Sequence, residues 1–219
     1  MFQYAWYWPA SHRVARIYEH FTKAVPYDVE DSILLQMDNR SIAAKGLVPL
    51  LAKVEPKSDI ARKAIKLVRA WDFEMKRNNP EPLIYAAWIR NLMLSLVADE
   101  LGDQFIGYRH PRPLFIQRVL SQDTDWCDDI STAEKESCAS RIEQALNRTL
   151  AELSERFGNE PKDWRWGDVH AAAFPHRILR HIPLLADWSE GRIETDGGDH
   201  TLNRGQTGGG TENPYRHAH

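Results

Sequence analysis

Hydrophobic positions recur at three- and four-residue spacing through most of residues 1–190 of this 219-residue chain, which is the period of amphipathic helices. Val14, Ile17, Tyr18, Phe21 and Val25 predict a first helix, with Ser11 as its N-cap and Pro26 as its stop. Asp28 opens a second helical stretch carrying Ile33, Leu34, Met37, Leu47, Leu50 and Leu51, which Gly46 and Pro49 should kink or split. Ser58 caps a third, with Ile60, Ala64, Val68 and Trp71 on one face. Pro82 begins a fourth, PLIYAAWIRNLMLSLVADEL, which is apolar nearly all round and therefore a central buried helix, ended by Gly102. PRPLFIQRVL is a short fifth. Ser131 and Glu134 read as an S/T-x-x-E capping box. They open a long helix to Phe157 with Ile142, Leu146, Leu150, Leu153 and Phe157 on one face, and Gly158 as its C-terminal stop.

The pattern then changes. PKDWRWGDVHAAAFPHRILRHIPLLADW mixes proline, tryptophan and histidine without a sustained period and reads as ordered loop with short helices. From Gly191 onward Gly and polar residues dominate, and RIETDGG and HTLNRG read as short strands or turns. The chain thus divides into a helical domain over 1–190 and a loop or strand segment over 191–219. A hydrophobic content of 42% supports a sizeable core. With 28 basic against 31 acidic residues the formal net charge is −3, which lacks the clustered basic excess of a nucleic-acid binder. No apolar run approaches the ~20 residues of a membrane-spanning helix. The opening MFQYAW carries neither the basic nor the apolar region of an export signal.

Several constellations are weighed for chemistry. His170, His176 and His181, with His200, His217 and His219 beyond and Asp168 and Asp199 nearby, offer zinc-type donors, but no H-E-x-x-H spacing is present. Histidines hydrogen-bonded among packed loops are the simpler reading. Asp123, Asp125, Asp128 and Asp129 lack the Gly and closing Glu of a calcium-binding EF-hand loop and read as a solvated acidic loop. There is no G-x-S-x-G elbow, and Gly208–Gly210 follows no apolar strand, so it fails the context of a phosphate cradle. Phe2, Tyr4, Trp6, Tyr7 and Trp8 form a dense aromatic cluster that must pack against something, in an acyl pocket or an ordinary core. Cys127 and Cys138 suit a short disulfide loop or two buried thiols equally well.

Taken in order, WYWPASHRVARIYEHF, DVEDSILLQMDNRSIAAKGLVPLLAKV, KLVRAWDFEMKRNNPEPLIYAAWIRNL, WCDDISTAEKESCASRIEQAL, WRWGDVHAAAFPHRIL and GGDHTLNRG carry a pattern over nearly the whole chain. The series resembles the latter part of the β chain of the penicillin acylase family, whose members are N-terminal-nucleophile amidohydrolases. The resemblance implies a mainly α segment, with a Gly-rich loop or strand tail, of an enzyme that is an αββα sandwich when complete. It implies a self-processing precursor whose freed N-terminal Ser attacks a linear amide, its own α-amino group serving as base. Asn and backbone donors would hold the oxyanion.

Met1 cannot be that nucleophile. The Ser, the oxyanion Asn and the family's calcium ligands are therefore expected upstream, with no cofactor or metal held by this segment, which reads as a truncated piece. Arg13 of SHRVARI matches an arginine near the active site, where it holds the oxyanion Asn loop or substrate; a helix-surface ion pair is the plainer alternative. Trp6 and Trp8 are expected to help shape the substrate pocket. His200 and Asn203 match a segment returning toward the active-site floor, and His219 is expected to do likewise. The resemblance also implies a Cys127–Cys138 disulfide and export of the full-length protein to the periplasm. Its partners would be the α chain and the N-terminal part of the β chain of the same precursor, and a small amide substrate; no nucleic acid or membrane is implied. Alone, the segment is expected to be inactive. The competing readings are a non-catalytic helical interaction module and, behind it, a zinc-dependent hydrolase built on the histidines.

Overall fold

The structure, a computed structural model, describes residues 12–22, 26–104, 111–122, 124–174, 177–179, 182 and 191–203. Among them are seven α-helices: α1 (His12–Phe21), α2 (Val29–Gln36), α3 (Ile42–Leu51), α4 (Asp59–Ala70), α5 (Glu81–Leu101), α6 (Pro113–Gln122) and α7 (Cys138–Phe157). A single antiparallel pair follows, β1 (Ala171–Phe174) against β2 (Gly191–Glu194), in register from Ala171↔Glu194 to Phe174↔Gly191. The mainly α expectation holds, and RIE becomes a strand while HTLN turns. Ser11 and Val25, the expected ends of the first helix, lie outside the described residues.

Helix α5 is the axis of the core. Leu83, Ile84, Ala87, Trp88, Leu92 and Leu96 are inaccessible to solvent, so this helix is covered on all sides. Against it lies α7, whose Ile142, Leu146, Leu150 and Leu153 form the predicted stripe. The Trp88 indole donates from Nε1 to the Ile142 carbonyl at 3.1 Å, which satisfies the one polar atom of a fully buried ring. Asn91 Nδ2 reaches Thr149 Oγ1 at 3.0 Å and Glu152 Oε2 at 3.1 Å, fixing the register of the two helices. Helix α4 packs on both, and α3 lies between α4 and α6.

Two element boundaries differ from the sequence reading. The second helical stretch breaks at Met37–Ser41 and not at Gly46 or Pro49. Ser41 caps α3 through its hydroxyl, which accepts from Ala44 N at 3.1 Å, and the preceding Asp38 is drawn away by α1. Gly46 stays helical and lies against α6, where a Cβ would make ordinary contact with Gln117 Oε1 at 3.4 Å. Pro49 falls in the last turn, where its missing N–H costs one intrahelical bond but the helix ends two residues later.

The long helix, in turn, begins at Cys138 with Ser137 as its cap, not at Ser131. Residues 128–136 are held as a turn by side chains that take up backbone donors. Asp128 Oδ1 accepts from Glu136 N at 3.0 Å, Glu136 Oε2 from Asp129 N at 2.9 Å, and Asp129 Oδ1 from Ser131 N at 3.1 Å. A Cys127–Cys138 disulfide closes this loop.

A third difference concerns which way α1 faces. Its apolar positions Val14, Tyr18 and Phe21 are exposed, while His12 is buried and Arg16 and His20 turn inward. Helix α2 buries no residue at all, and its Val29, Ile33 and Leu34 stand in solvent.

Candidate functional site

Five stretches meet at one junction: the start of α1, the α2–α3 connection, the loop after α4, the segment around Trp166, and the tail after β2. The connection and the loop pair as a short antiparallel bridge, Arg40↔Glu74. Ser41 N donates to the Phe73 carbonyl at 2.8 Å and Met75 N to that of Asn39 at 3.0 Å. Phe73 turns the chain into this pairing with φ 66°, a left-handed conformation rare for a bulky side chain. The far side of the same loop receives the tail: Gly197 N donates to the Met75 carbonyl and Arg77 N to Asp196 Oδ1, both at 2.7 Å. Trp166, nearly enclosed, donates from Nε1 to the Gly197 carbonyl at 2.9 Å.

The tail's own turn is made by Gly197 and Thr201. Gly197 has φ +87°, and a Cβ there would lie 1.9 Å from the Asn203 carbonyl oxygen, so both conformation and space require glycine. The buried Thr201 hydroxyl accepts from Gly198 N at 2.8 Å. Asn203 N then donates to the Asp38 carbonyl at 2.8 Å, which brings the tail to the α2–α3 connection.

The Asp38 side chain faces α1. Its carboxylate receives Arg16 Nη2 at 2.6 Å and Arg16 Nε at 3.1 Å, with His20 Nε2 at 3.1 Å from Oδ2 and Arg40 N donating to Oδ1 at 3.2 Å. Burial would raise the Asp38 carboxyl, but the bonds from Arg16 and His20, the Arg16 charge and the Arg40 N–H outweigh it and hold the group below the usual range.

Three more imidazoles complete the junction. The His12 ring meets that of His200 edge-on, with centroids 5.7 Å apart, and burial lowers its pKa. His170 stacks on Trp166 at 4.6 Å. Burial lowers its pKa as well, against the opposing pull of Asp199 and Asp196. Among the described residues neither His12 Nε2 nor His170 Nε2 has a hydrogen-bond partner.

The residues singled out from sequence fall as follows. His200 is at the junction, half-buried beside His12. Asn203 is there through its backbone, while Arg13 is exposed on α1 directly after His12. Trp6, Trp8 and His219 lie outside the described residues, as do His176, His181 and His217. Asp38, Arg16 and His20 were not singled out. Their signal was an i, i+4 basic pair on α1 and a polar MDNRS run ahead of a helix cap.

The acidic loop does not resemble a cation site. Asp128 and Asp129 accept backbone N–H groups, Asp129 pairs with Arg141 at 3.2 Å and Asp125 with Lys135 at 2.9 Å. No group of three or more His, Cys, Asp or Glu is placed to hold a metal among the described residues. Two open clefts of about 380 and 540 Å³ lie along α4 and between α4 and α7, and neither includes a junction residue. What the junction offers chemically is orientation: it fixes α1, and with it Arg13, against the segment that carries His200.

The chain has relatives among known proteins. It is 22% identical over 207 residues to the acyl-homoserine lactone acylase QuiP of Pseudomonas aeruginosa, an overlap of 83% of this chain and 24% of the relative. To QuiP of Pseudomonas fluorescens it is 23% identical over 155 residues, 64% of this chain and 17% of the relative. The chain thus spans about a quarter or less of the curated relatives it matches. Among solved structures, a thermostable penicillin G acylase from Alcaligenes faecalis superposes with a TM-score of 0.54 at 14% identity, covering 87% of this chain and 40% of that one. That likeness speaks for the fold. The penicillin amidase family model matches residues 1–219, and the chain therefore belongs to the penicillin amidase family.

Proposed function

We propose that this chain forms the helical part of the β chain of an N-terminal-nucleophile amidohydrolase and borders its active site. The observation that carries the reading is the family match over all of residues 1–219, in a chain that spans only 24% of an acyl-homoserine lactone acylase. The reaction is hydrolysis of a linear amide in an N-acyl compound, with acyl-homoserine lactones and penicillins as the first substrates to test. The nucleophilic Ser, its α-amino base and the oxyanion Asn come from the rest of the polypeptide, as do the calcium ligands. The Ser hydroxyl attacks the amide carbonyl as the amine takes its proton, the amine product leaves protonated, and water releases the acid from the acyl-enzyme. Arg13 orients the oxyanion loop or substrate, and Trp6, Trp8, His200, Asn203 and His219 contribute to the pocket.

The outward apolar faces of α1 and α2 support a covering partner, here the remaining α and β chain residues of the same precursor. The disulfide supports export to an oxidising compartment, here the periplasm. No helix among the described residues is long and apolar enough to cross a membrane.

The test is hydrolysis of an N-acyl-homoserine lactone and of penicillin G by the 219-residue chain alone and by the complete processed polypeptide. Activity is expected from the complete protein only, because without nucleophile, base and oxyanion donors little differential transition-state binding remains. Turnover by the chain alone, abolished by a substitution within 1–219, would overturn the reading. Absence of hydrolysis by the complete protein on both substrates would favour an interaction module.

A further inference from the structure

We infer that Asp38 is a positioning residue for the active site: its carboxylate sets the placement of α1, and so of Arg13, while its carbonyl seats the tail that carries His200. The inference rests on the reading above that Arg13 and His200 border the site.

Helix α1 is attached in an unusual way. An ordinary surface helix is held by an apolar stripe facing the core. Here most of that stripe is turned outward, with Val14, Tyr18 and Phe21 exposed and Ile17 half-buried, and the only residue α1 buries fully is His12. Beyond the half-buried Ala15 and Ile17 and a Glu19–Lys45 pair at 3.8 Å to α3, its hold on the described structure is polar and centres on one carboxylate. Arg16 supplies Nε and Nη2, and His20 supplies Nε2, so two successive turns of α1 address the same two oxygens. The Arg16 and Asp38 side chains are 16% and 11% exposed, which places this pair among partly buried ion pairs and not among solvent-screened surface ones. The carboxylate stands on a rigid post: Arg40 N donates to Oδ1, and two backbone bonds lock the following Asn39 and Ser41 to Met75 and Phe73.

The backbone of the same residue holds the tail. The Asp38 carbonyl accepts Asn203 N–H at 2.8 Å, and the same tail places His200 against His12. One residue therefore fixes two segments that reach the junction from distant parts of the sequence, α1 through Arg16 and the tail through Asn203. Arg13 lies one turn from Arg16 on the same helix, so a rotation or slide of α1 is transmitted directly to its guanidinium. Misplacement of a catalytic group by about 1 Å can cost about 100-fold in rate.

The experiment uses the complete processed enzyme and an N-acyl-homoserine lactone as substrate. Asp38→Asn and the milder Arg16→Lys are compared with wild type, alone and in an Arg13→Ala background. Amide exchange of residues 12–21 is followed in parallel. The expected result for Asp38→Asn is a fall in kcat of about 10- to 100-fold, with KM changed less than about threefold, because an interaction that matters in the transition state is lost. Arg16→Lys, which keeps the charge but loses the two-pronged geometry, falls between. Exchange should accelerate in α1 and stay unchanged in α5 and α7. In the Arg13→Ala background neither substitution should lower kcat further, since the effect runs through that side chain.

Undiminished kcat in both variants, or losses that multiply with that of Arg13→Ala, would overturn the inference while leaving the amidohydrolase reading intact. A wild-type enzyme without hydrolysis would sink both for catalysis, and exchange in α1 would then decide the anchoring role by itself. Should Asp38→Asn fail to mature, Arg16→Lys carries the same comparisons.

Discussion

Single residues at the junction have separable roles. Gly197 allows the tail to turn: Gly197→Ala combines a left-handed φ with a Cβ driven into the Asn203 carbonyl. The expected cost is at least about 1 kcal/mol, measured by urea unfolding, with the loss confined to the tail when followed by amide exchange. Trp88 belongs to the core. Trp88→Ala removes a fully enclosed ring and leaves the α5–α7 contact hollow, for about 3–5 kcal/mol of stability. The buried imidazoles set a pH dependence. His12 and His170 are held below their ordinary 6.5 in the folded state, so on acidification the unfolded chain takes up protons first. Stability is then whole above about 6.5 and declines as pH falls toward the lowered values. Asp38 acts in a separate window. Its depressed carboxyl stabilises the fold above the ordinary 3.8 and ceases to do so as pH drops through its folded value. Unfolding midpoints between pH 7 and 5 should therefore slope downward in the wild-type chain and flatten in a His12→Asn, His170→Gln double variant.

At the level of elements, the two serines ahead of α7 make opposite predictions. Ser137→Ala removes the hydroxyl that accepts Ser140 N–H and should cost about 1 kcal/mol. Ser131→Ala, in an exposed turn, should stay within about 0.5 kcal/mol. Equal losses would restore the S/T-x-x-E reading. Replacing Cys127 and Cys138 by Ser should lower stability by about 2–3 kcal/mol on the loop-entropy account, seen also as a lowered Tm in reductant. These contrasts mark how far sequence could reach. Ser58, Gly102 and Gly158 bound their helices as local chemistry predicts, and the α5 and α7 stripes were visible because burial follows a period. What escaped was set by partners distant in the chain. The false start at Ser131 reflects Asp128 and Glu136 taking up the backbone donors a helix would have used. The missed break at Asp38 reflects a guanidinium 22 residues away. The reversed face of α1 could not be read at all, because a period identifies an apolar side without saying what will cover it. At the junction, motif order singles out His200 and Asn203 as candidates, while the carboxylate that joins their segment to α1 carries no motif of its own.

For the molecule as a whole, the exposed apolar rows on α1 and α2 imply an unfinished surface. The 219-residue chain by itself should associate as its concentration rises, through these helices, and light scattering should report it. Val29→Lys with Leu34→Glu should suppress that association without lowering the unfolding midpoint, since α2 buries nothing. If the proposed partner, the rest of the same precursor, covers these helices, its presence should abolish the association without any substitution. The Trp166 indole, which is 4% exposed and bonded to the Gly197 carbonyl, turns seating of the tail into an optical signal. When the tail lifts, that ring meets water and its emission moves to longer wavelength. The difference spectrum between the wild-type chain and Trp166→Phe would let the closing of the junction be timed by stopped-flow fluorescence, with no label attached.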